Sequence, residues 1–308
     1  MSGLNSYESK TASGINFNTE AKEFFKKYNF EYYSNIKSIH YGTKVSISSL
    51  VNLTSNNVSS ETLKESENYF YEYEIHKNLF FENFKNISIY QNIFLDFCRV
   101  NNISKCKSSN PFNERKYVNG FKNTFLTKIA SLWKLNGSII STLTWRTLRE
   151  IRAIDSILDP EGQKASFNDL FFNIEKDISS KKYDLIFVHT LVPHKPYGFN
   201  DKCNYDGKLS LGNTFFSANK KVNQHNTERL CVLVFLDNFL QNLKKNNNLQ
   251  NIKLTLMSDH GAKIIWNEDS TLPVIYAYRD KQTKYKEFDE ETTSQKIFSS
   301  RYNHLINF

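Results

Sequence analysis

Apolar residues fall along this chain in two rhythms: unbroken runs that predict buried strands, and sets spaced three or four apart that predict helices. A short helix is expected over residues 19–27, with Ala21, Phe24 and Phe25 on one side, followed by an aromatic strand over 30–33. Gly42 permits a tight turn, and Thr43 stands in the N-cap position of a helix carrying Val45, Ile47, Leu50 and Val51. Thr62 and Glu65 have capping-box spacing, which predicts a long helix to about residue 85 with His76 packed or half-exposed within it. A strand is expected over 86–91, and 92–97 continues apolar. Residues 114–152 read as irregularly helical, with Phe121, Phe125, Ile129, Leu132 and Trp133 on one face. A helix over 166–180 (Leu170, Phe171, Ile174, Ile178) feeds a strand over 183–192, and a helix over 221–246 (Leu233, Leu236, Leu240, Leu243) feeds a strand over 254–257. Another strand, 272–278, and a helix, 292–298, complete the pattern. No internal repeat, linker or break in composition interrupts it, so residues 1–308 are expected to form one α/β domain.

The candidate chemistry sits where the strands stop. The run Leu254, Thr255, Leu256, Met257 ends at Ser258, Asp259, His260 and Gly261. Asp259 and His260 are therefore expected to emerge at a strand's carboxyl end, where open α/β sheets bind their ligands. A carboxylate oxygen beside an imidazole nitrogen suits Zn²⁺ or Mn²⁺; a plain strand-to-loop turn is the other reading. The strand over 183–192 stops at Pro193, His194, Lys195, Pro196 and Tyr197, where two prolines stiffen the exit and hold His194 on a rigid turn at the same end of the sheet. His189, earlier on that strand, alternates toward the opposite face or the core.

These two strand ends, in this order and with one long helix between them, resemble the alkaline phosphatase/sulfatase superfamily, and within it the phosphoethanolamine and phosphoglycerol transferases of bacterial envelopes. The resemblance implies a three-layer α/β/α sandwich around a mostly parallel central sheet. It also implies a nucleophile on the strand-turn-helix at Gly42 and Thr43, with Ser48 five residues on, and so gives Thr43 a role beyond capping. Thr43, Asp259 and His260 become ligands of a divalent metal, Zn²⁺ or Mn²⁺, with Ca²⁺ expected for a sulfatase-like member. His194 matches the histidine that binds substrate oxygens or the leaving group. Lys263 falls close behind Gly261, where it contacts an anionic substrate or is simply solvated. The Cys/Ser-x-Pro-x-Arg signature of true sulfatases is absent, which favours phosphoryl over sulfuryl chemistry. The implied reaction is transfer or hydrolysis at a phosphodiester headgroup or surface-glycan substituent through a phospho-threonine. The alternatives are a sulfuric ester hydrolase, or a catalytically impaired relative that binds anionic glycan or lipid. The chain departs from the family pattern at its start. Gly3, Leu4, Asn5 and Ser6 resemble residues that follow an acidic metal ligand, so the first strand and its acid are expected to be missing and turnover to be low, with Glu8 an unconvincing substitute.

Composition narrows the partners. The net charge is +8, but its lysines are scattered among asparagines without the basic blocks and interleaved aromatics of a nucleic-acid surface, so no nucleic-acid partner is expected. Such a surface also suits anionic lipid headgroups or glycans. The mean hydropathy is −0.55, and no apolar run approaches the roughly 20 residues of a membrane span. No leader or anchor is seen, so an extracytoplasmic or periplasmic setting rests on the resemblance alone. The four cysteines lack metal-type spacing. Cys98 and Cys106 flank a loop that a disulfide could close, Cys203 lies beyond the His194 turn, and Cys231 reads equally as core filling. His225, near the start of its helix, is expected to be exposed or capping.

Overall fold

The computed structural model describes residues 14–40, 42–54, 61–66, 73–92, 95–109, 117–119, 167–193, 197–205, 218–261 and 273–305. Five helices are formed among them: α1 (Phe17–Lys27), α2 (Thr43–Val51), α3 (Phe167–Ser180), α4 (Ala218–Lys245) and α5 (Ser294–Tyr302). The strands are β1 (Glu31–Lys37), β2 (Leu63–Glu65), β3 (Tyr73–Ile75), β4 (Ile87–Gln91), β5 (Leu95–Asp96), β6 (Ile103–Ser109), β7 (Tyr117–Asn119), β8 (Leu185–Val188), β9 (Leu254–Met257), β10 (Pro273–Arg279), β11 (Lys286–Phe288) and β12 (Thr292–Thr293). They pair as β11-β1-β10-β9 with β12 beside β1, as β7-β6-β4-β8, and as a small sheet β2-β3-β5. Parallel pairings outnumber antiparallel ones among the described residues, five to four.

The two larger sheets lie between the same two apolar cores, which is what produces the three layers. Strand side chains alternate, and successive residues feed opposite cores. On β10, Ile275 and Ala277 join one core while Val274, Tyr276 and Tyr278 join the other. On β8 and β9, Ile186, Val188, Leu254 and Leu256 pack on the first core, and Leu185, Phe187 and Met257 on the second. β1 sends Tyr32 to the first and Ile36 to the second because its register shifts between Tyr33 and Ile36, and an inserted residue reverses the parity of everything after it. The first core is closed by α1, α3 and α4, the last through Leu233, Leu236, Leu240 and Leu243, the stripe predicted from its spacing. The second is closed by α2 through Ile47, Leu50 and Val51, and by α5 through Phe298. Each of these leucines contributes about 1.5–3 kcal/mol by leaving water.

The long helix expected over 62–85 is not formed. Leu63–Glu65 pairs antiparallel with Tyr73–Ile75, and a 3₁₀ turn follows at Phe81–Asn83. Thr62 does not cap: its hydroxyl donates to the Lys77 carbonyl at 2.9 Å and accepts from the Asn52 amide at 2.9 Å, tying this hairpin to the end of α2. The aromatic and β-branched residues at 73–75 favour a strand, and the capping-box spacing carried no packing to oppose it. His76 is half-exposed and bonded to Glu74 at 3.1 Å. Of the irregular stretch over 114–152, only Tyr117–Asn119 lies within the described residues, and it is strand.

All four cysteines are paired, Cys98 with Cys106 and Cys203 with Cys231. Cys231 is thus both a core residue and a covalent anchor for the loop after β8. Replacing Cys203 and Cys231 together by Ser should lower stability by about 2–4 kcal/mol, because the unfolded chain regains the freedom of a closed loop. Urea unfolding measures it: the midpoint falls, whereas an unmoved midpoint would mean the bond contributes nothing.

Candidate active site

Thr43 reaches the site because Gly42 is the residue before the helix. Gly42, with φ −144° and ψ 149°, occupies the N-cap position without any side-chain cap bond, and Thr43 is the first helical residue rather than the cap expected for it. Its hydroxyl is therefore available to the interior. On the other side, Ser258 ends β9 by bonding both ways with Ile275 of β10, N–H to carbonyl at 3.0 Å and hydroxyl from N–H at 3.1 Å. That bracket fixes the point at which Asp259 and His260 leave the sheet.

The structure brings Thr43, Asp259 and His260 together, although more than 200 residues separate Thr43 from Asp259. Thr43 Oγ1 lies 3.0 Å from His260 Nε2, which in turn lies 3.6 Å from Asp259 Oδ2. All three are buried, Thr43 at 7%, Asp259 at 1% and His260 at 6% exposure. His260 Nδ1 faces the Gly261 carbonyl at 2.7 Å, and a carbonyl can only accept, so Nδ1 carries a proton. The other ring nitrogen, Nε2, faces the Thr43 hydroxyl. Burial acts to raise the Asp259 pKa, but the charges of His260 and His189 and the hydrogen bond from Thr43 outweigh it and hold the carboxyl well below the usual carboxylate range.

His189 takes the core position that its alternation allowed. It follows the last residue of β8, its N–H donates to the Tyr90 carbonyl at 2.9 Å, and its buried ring lies 5.6 Å from that of Phe97. His225 is not exposed as expected. It is fully buried, with its ring 5.6 Å from that of Tyr197, because α4 turns its first half inward beneath the loop after β8. Glu228 on the same helix accepts the Gly198 N–H at 2.6 Å and fastens that loop. Gly198 has to be glycine, since a Cβ there would stand 2.2 Å from the Tyr205 ring. His194 and Lys263 lie outside the described residues.

The donor set fits a divalent cation. Ligands about 2 Å from one tetrahedral ion stand on the order of 3.3 Å apart. His260 Nε2 is 3.0 Å from Thr43 Oγ1 and 3.6 Å from Asp259 Oδ2, which brackets that value. An ionised carboxylate, an imidazole with a fixed tautomer and a hydroxyl are the oxygen and nitrogen donors such an ion takes. Among the described residues no group of three His, Cys, Asp or Glu side chains forms a metal cluster, so the fit depends on the Thr43 oxygen and on a ligand from beyond them.

No protein-family model and no curated protein sequence matches this chain. Solved structures do. A protein in the alkaline phosphatase superfamily from Vibrio parahaemolyticus superposes with a TM-score of 0.53 at 10% identity, over 99% of this chain and 68% of that one. The chain has the alkaline phosphatase superfamily fold. The lipoteichoic acid synthase LtaP from Listeria monocytogenes gives the same TM-score of 0.53 at 10% identity, over 99% of this chain and 70% of that one. Ps i-CgsB, solved in complex with k-i-k-neocarrahexaose, gives 0.51 at 11% identity, over 94% of this chain and 66% of that one. The chain therefore spans about two thirds of the length of these structures. In this alkaline phosphatase superfamily fold, Thr43 sits at the start of a helix beside the end of β9, and no helix among the described residues is long and apolar enough to cross a membrane.

Proposed function

We propose that this chain is the single catalytic domain, residues 1–308, of a metal-dependent phosphoryl-group transferase or hydrolase. Its substrates would be phosphodiester headgroups of anionic lipids or surface-glycan substituents, and its intermediate a phosphorylated Thr43. One observation carries this reading: a buried threonine hydroxyl at a helix N-terminus, 3.0 Å from an imidazole nitrogen that itself lies 3.6 Å from a buried carboxylate. Such a hydroxyl is otherwise a poor nucleophile. Asp259, His260 and Thr43 would hold a divalent cation, whose charge would make the hydroxyl more acidic and screen an incoming phosphate. His260 fixes the hydroxyl through Nε2 and is itself held by the Gly261 carbonyl. The N-terminus of α2 adds positive potential where an anion would arrive. His194 and Lys263 are assigned to substrate oxygens by sequence position. Two disulfides suit an extracytoplasmic setting for this chain.

The experiment is a trapping assay. The chain, with Zn²⁺ or Mn²⁺ in excess, is mixed with an activated aryl phosphodiester, quenched and digested, and peptides are read by mass spectrometry. Phosphate on Thr43 is expected. Turnover of an aryl sulfate in place of the phosphodiester, or phosphate on another residue only, would overturn the assignment.

A further inference from the structure

We infer that Gln295 is a positioning residue for this site, setting how Thr43 meets Asp259; the inference rests on the metal-site reading above and deepens it. Gln295 lies in the first turn of α5, just after the Thr293 cap, and is 1% exposed. Its carboxamide has one possible orientation. The backbone N–H of Ile39 can only donate, and it lies 3.2 Å from Oε1, which also accepts the Ser294 hydroxyl at 3.1 Å. Nε2 must then donate its two hydrogens to the Ser38 hydroxyl at 3.2 Å and the Ser46 hydroxyl at 3.1 Å.

Those two bonds decide what the serines do. A hydroxyl that accepts from an amide directs its own proton elsewhere, and both serines point theirs at one atom. Ser38 donates to the Asp259 carbonyl oxygen at 2.9 Å, sharing its proton with the His40 carbonyl at 2.9 Å, and Ser46 donates to the same Asp259 carbonyl. The carbonyl thus has both lone pairs filled, one from the segment after β1 and one from α2. Ser46 stands three residues after Thr43, on the same face of α2. The chain Gln295, Ser46, Asp259 therefore fixes α2, with its nucleophile, against the loop that carries Asp259 and His260. Ser38 and Ser46 are themselves buried, so water cannot replace a lost member. Nothing in the chemistry of a metal ligand requires Gln295; its effect is on the spacing between ligands that already have the right identity.

The test is Mn²⁺ affinity by titration calorimetry on the chain, with thermal unfolding of the metal-free proteins alongside. Gln295→Leu should weaken Mn²⁺ binding by about 10–100-fold, the range seen when groups that orient ligands are removed. The control is Gln91→Leu. Gln91 is equally buried and anchors its amide to Asp96, Ser108 and the Phe97 N–H, on β4 rather than in the network around the Asp259 carbonyl. It should lose stability and keep its Mn²⁺ affinity. Adding Ser46→Ala to Gln295→Leu should cost little more than the worse single change, since the two act through one bond. Undiminished affinity in Gln295→Leu, or an equal loss in Gln91→Leu, overturns the assignment. Should Gln295→Leu not fold, the Ser38→Ala, Ser46→Ala double variant removes both hydroxyls from the Asp259 carbonyl, and unchanged affinity there overturns it as well. Absence of Mn²⁺ binding by the unaltered chain would instead refute the metal reading, and Gln295's role with it.

Discussion

Thr43→Ala is expected to eliminate phosphate trapping and to slow any phosphodiester turnover by about 10³-fold or more, the scale on which removal of a catalytic nucleophile is felt. Thr43→Ser, which keeps the hydroxyl, should retain all but about 10–100-fold of the rate and still be phosphorylated. Both variants lack the threonine methyl and differ from each other by one oxygen, so the contrast isolates the oxygen. Neither should unfold the protein. Gly42, not Thr43, is the cap of α2, and α2 is held in its core by Ile47, Leu50 and Val51. Thermal unfolding within a few degrees of the unaltered chain would accompany the loss of activity. A Thr43→Ala protein that is phosphorylated and turns over normally would reduce Thr43 to a helix-start residue whose hydroxyl merely satisfies His260.

The second large effect concerns the metal. Asp259→Ala and His260→Ala should each reduce Zn²⁺ or Mn²⁺ content, measured by elemental analysis after dialysis, by more than the 10–100-fold affinity loss typical of an orienting group alone. Each removes a direct donor, and neighbouring donors remain close but too few. His76→Ala serves as the control. His76 is half-exposed beside Glu74 near the small sheet, and its loss should leave metal content unchanged. Equal metal in all three proteins would make the turn at Asp259 and His260 structural.

Much of this architecture is visible in the residue pattern, for identifiable reasons. The stripe Leu233, Leu236, Leu240, Leu243 and the cluster Ala21, Phe24, Phe25 are local periodicities, and both helices form where they predict and bury those faces. The runs at 254–257 and 183–192 are likewise local, and β9 and β8 lie within them. What the sequence conceals is non-local. Thr62 satisfied the spacing of a helix cap, yet its hydroxyl is taken by Lys77 and Asn52, contacts that exist only once the hairpin has closed. His225 has no neighbour in sequence to announce that α4 would bury it beneath Tyr197. At the site, Asp259 and His260 stand out because an acid and an imidazole end an apolar run. Gln295, Ser38 and Ser46 carry no signature at all: a glutamine and two serines spread over the chain become one network only through folding.

The most direct measurement is anomalous diffraction from crystals of the chain soaked with Zn²⁺. A single strong peak is expected about 2.0–2.2 Å from Asp259, His260 Nε2 and Thr43 Oγ1 together. A map with no peak there, or with zinc bound only at other histidines such as His76, would contradict a metal-activated Thr43.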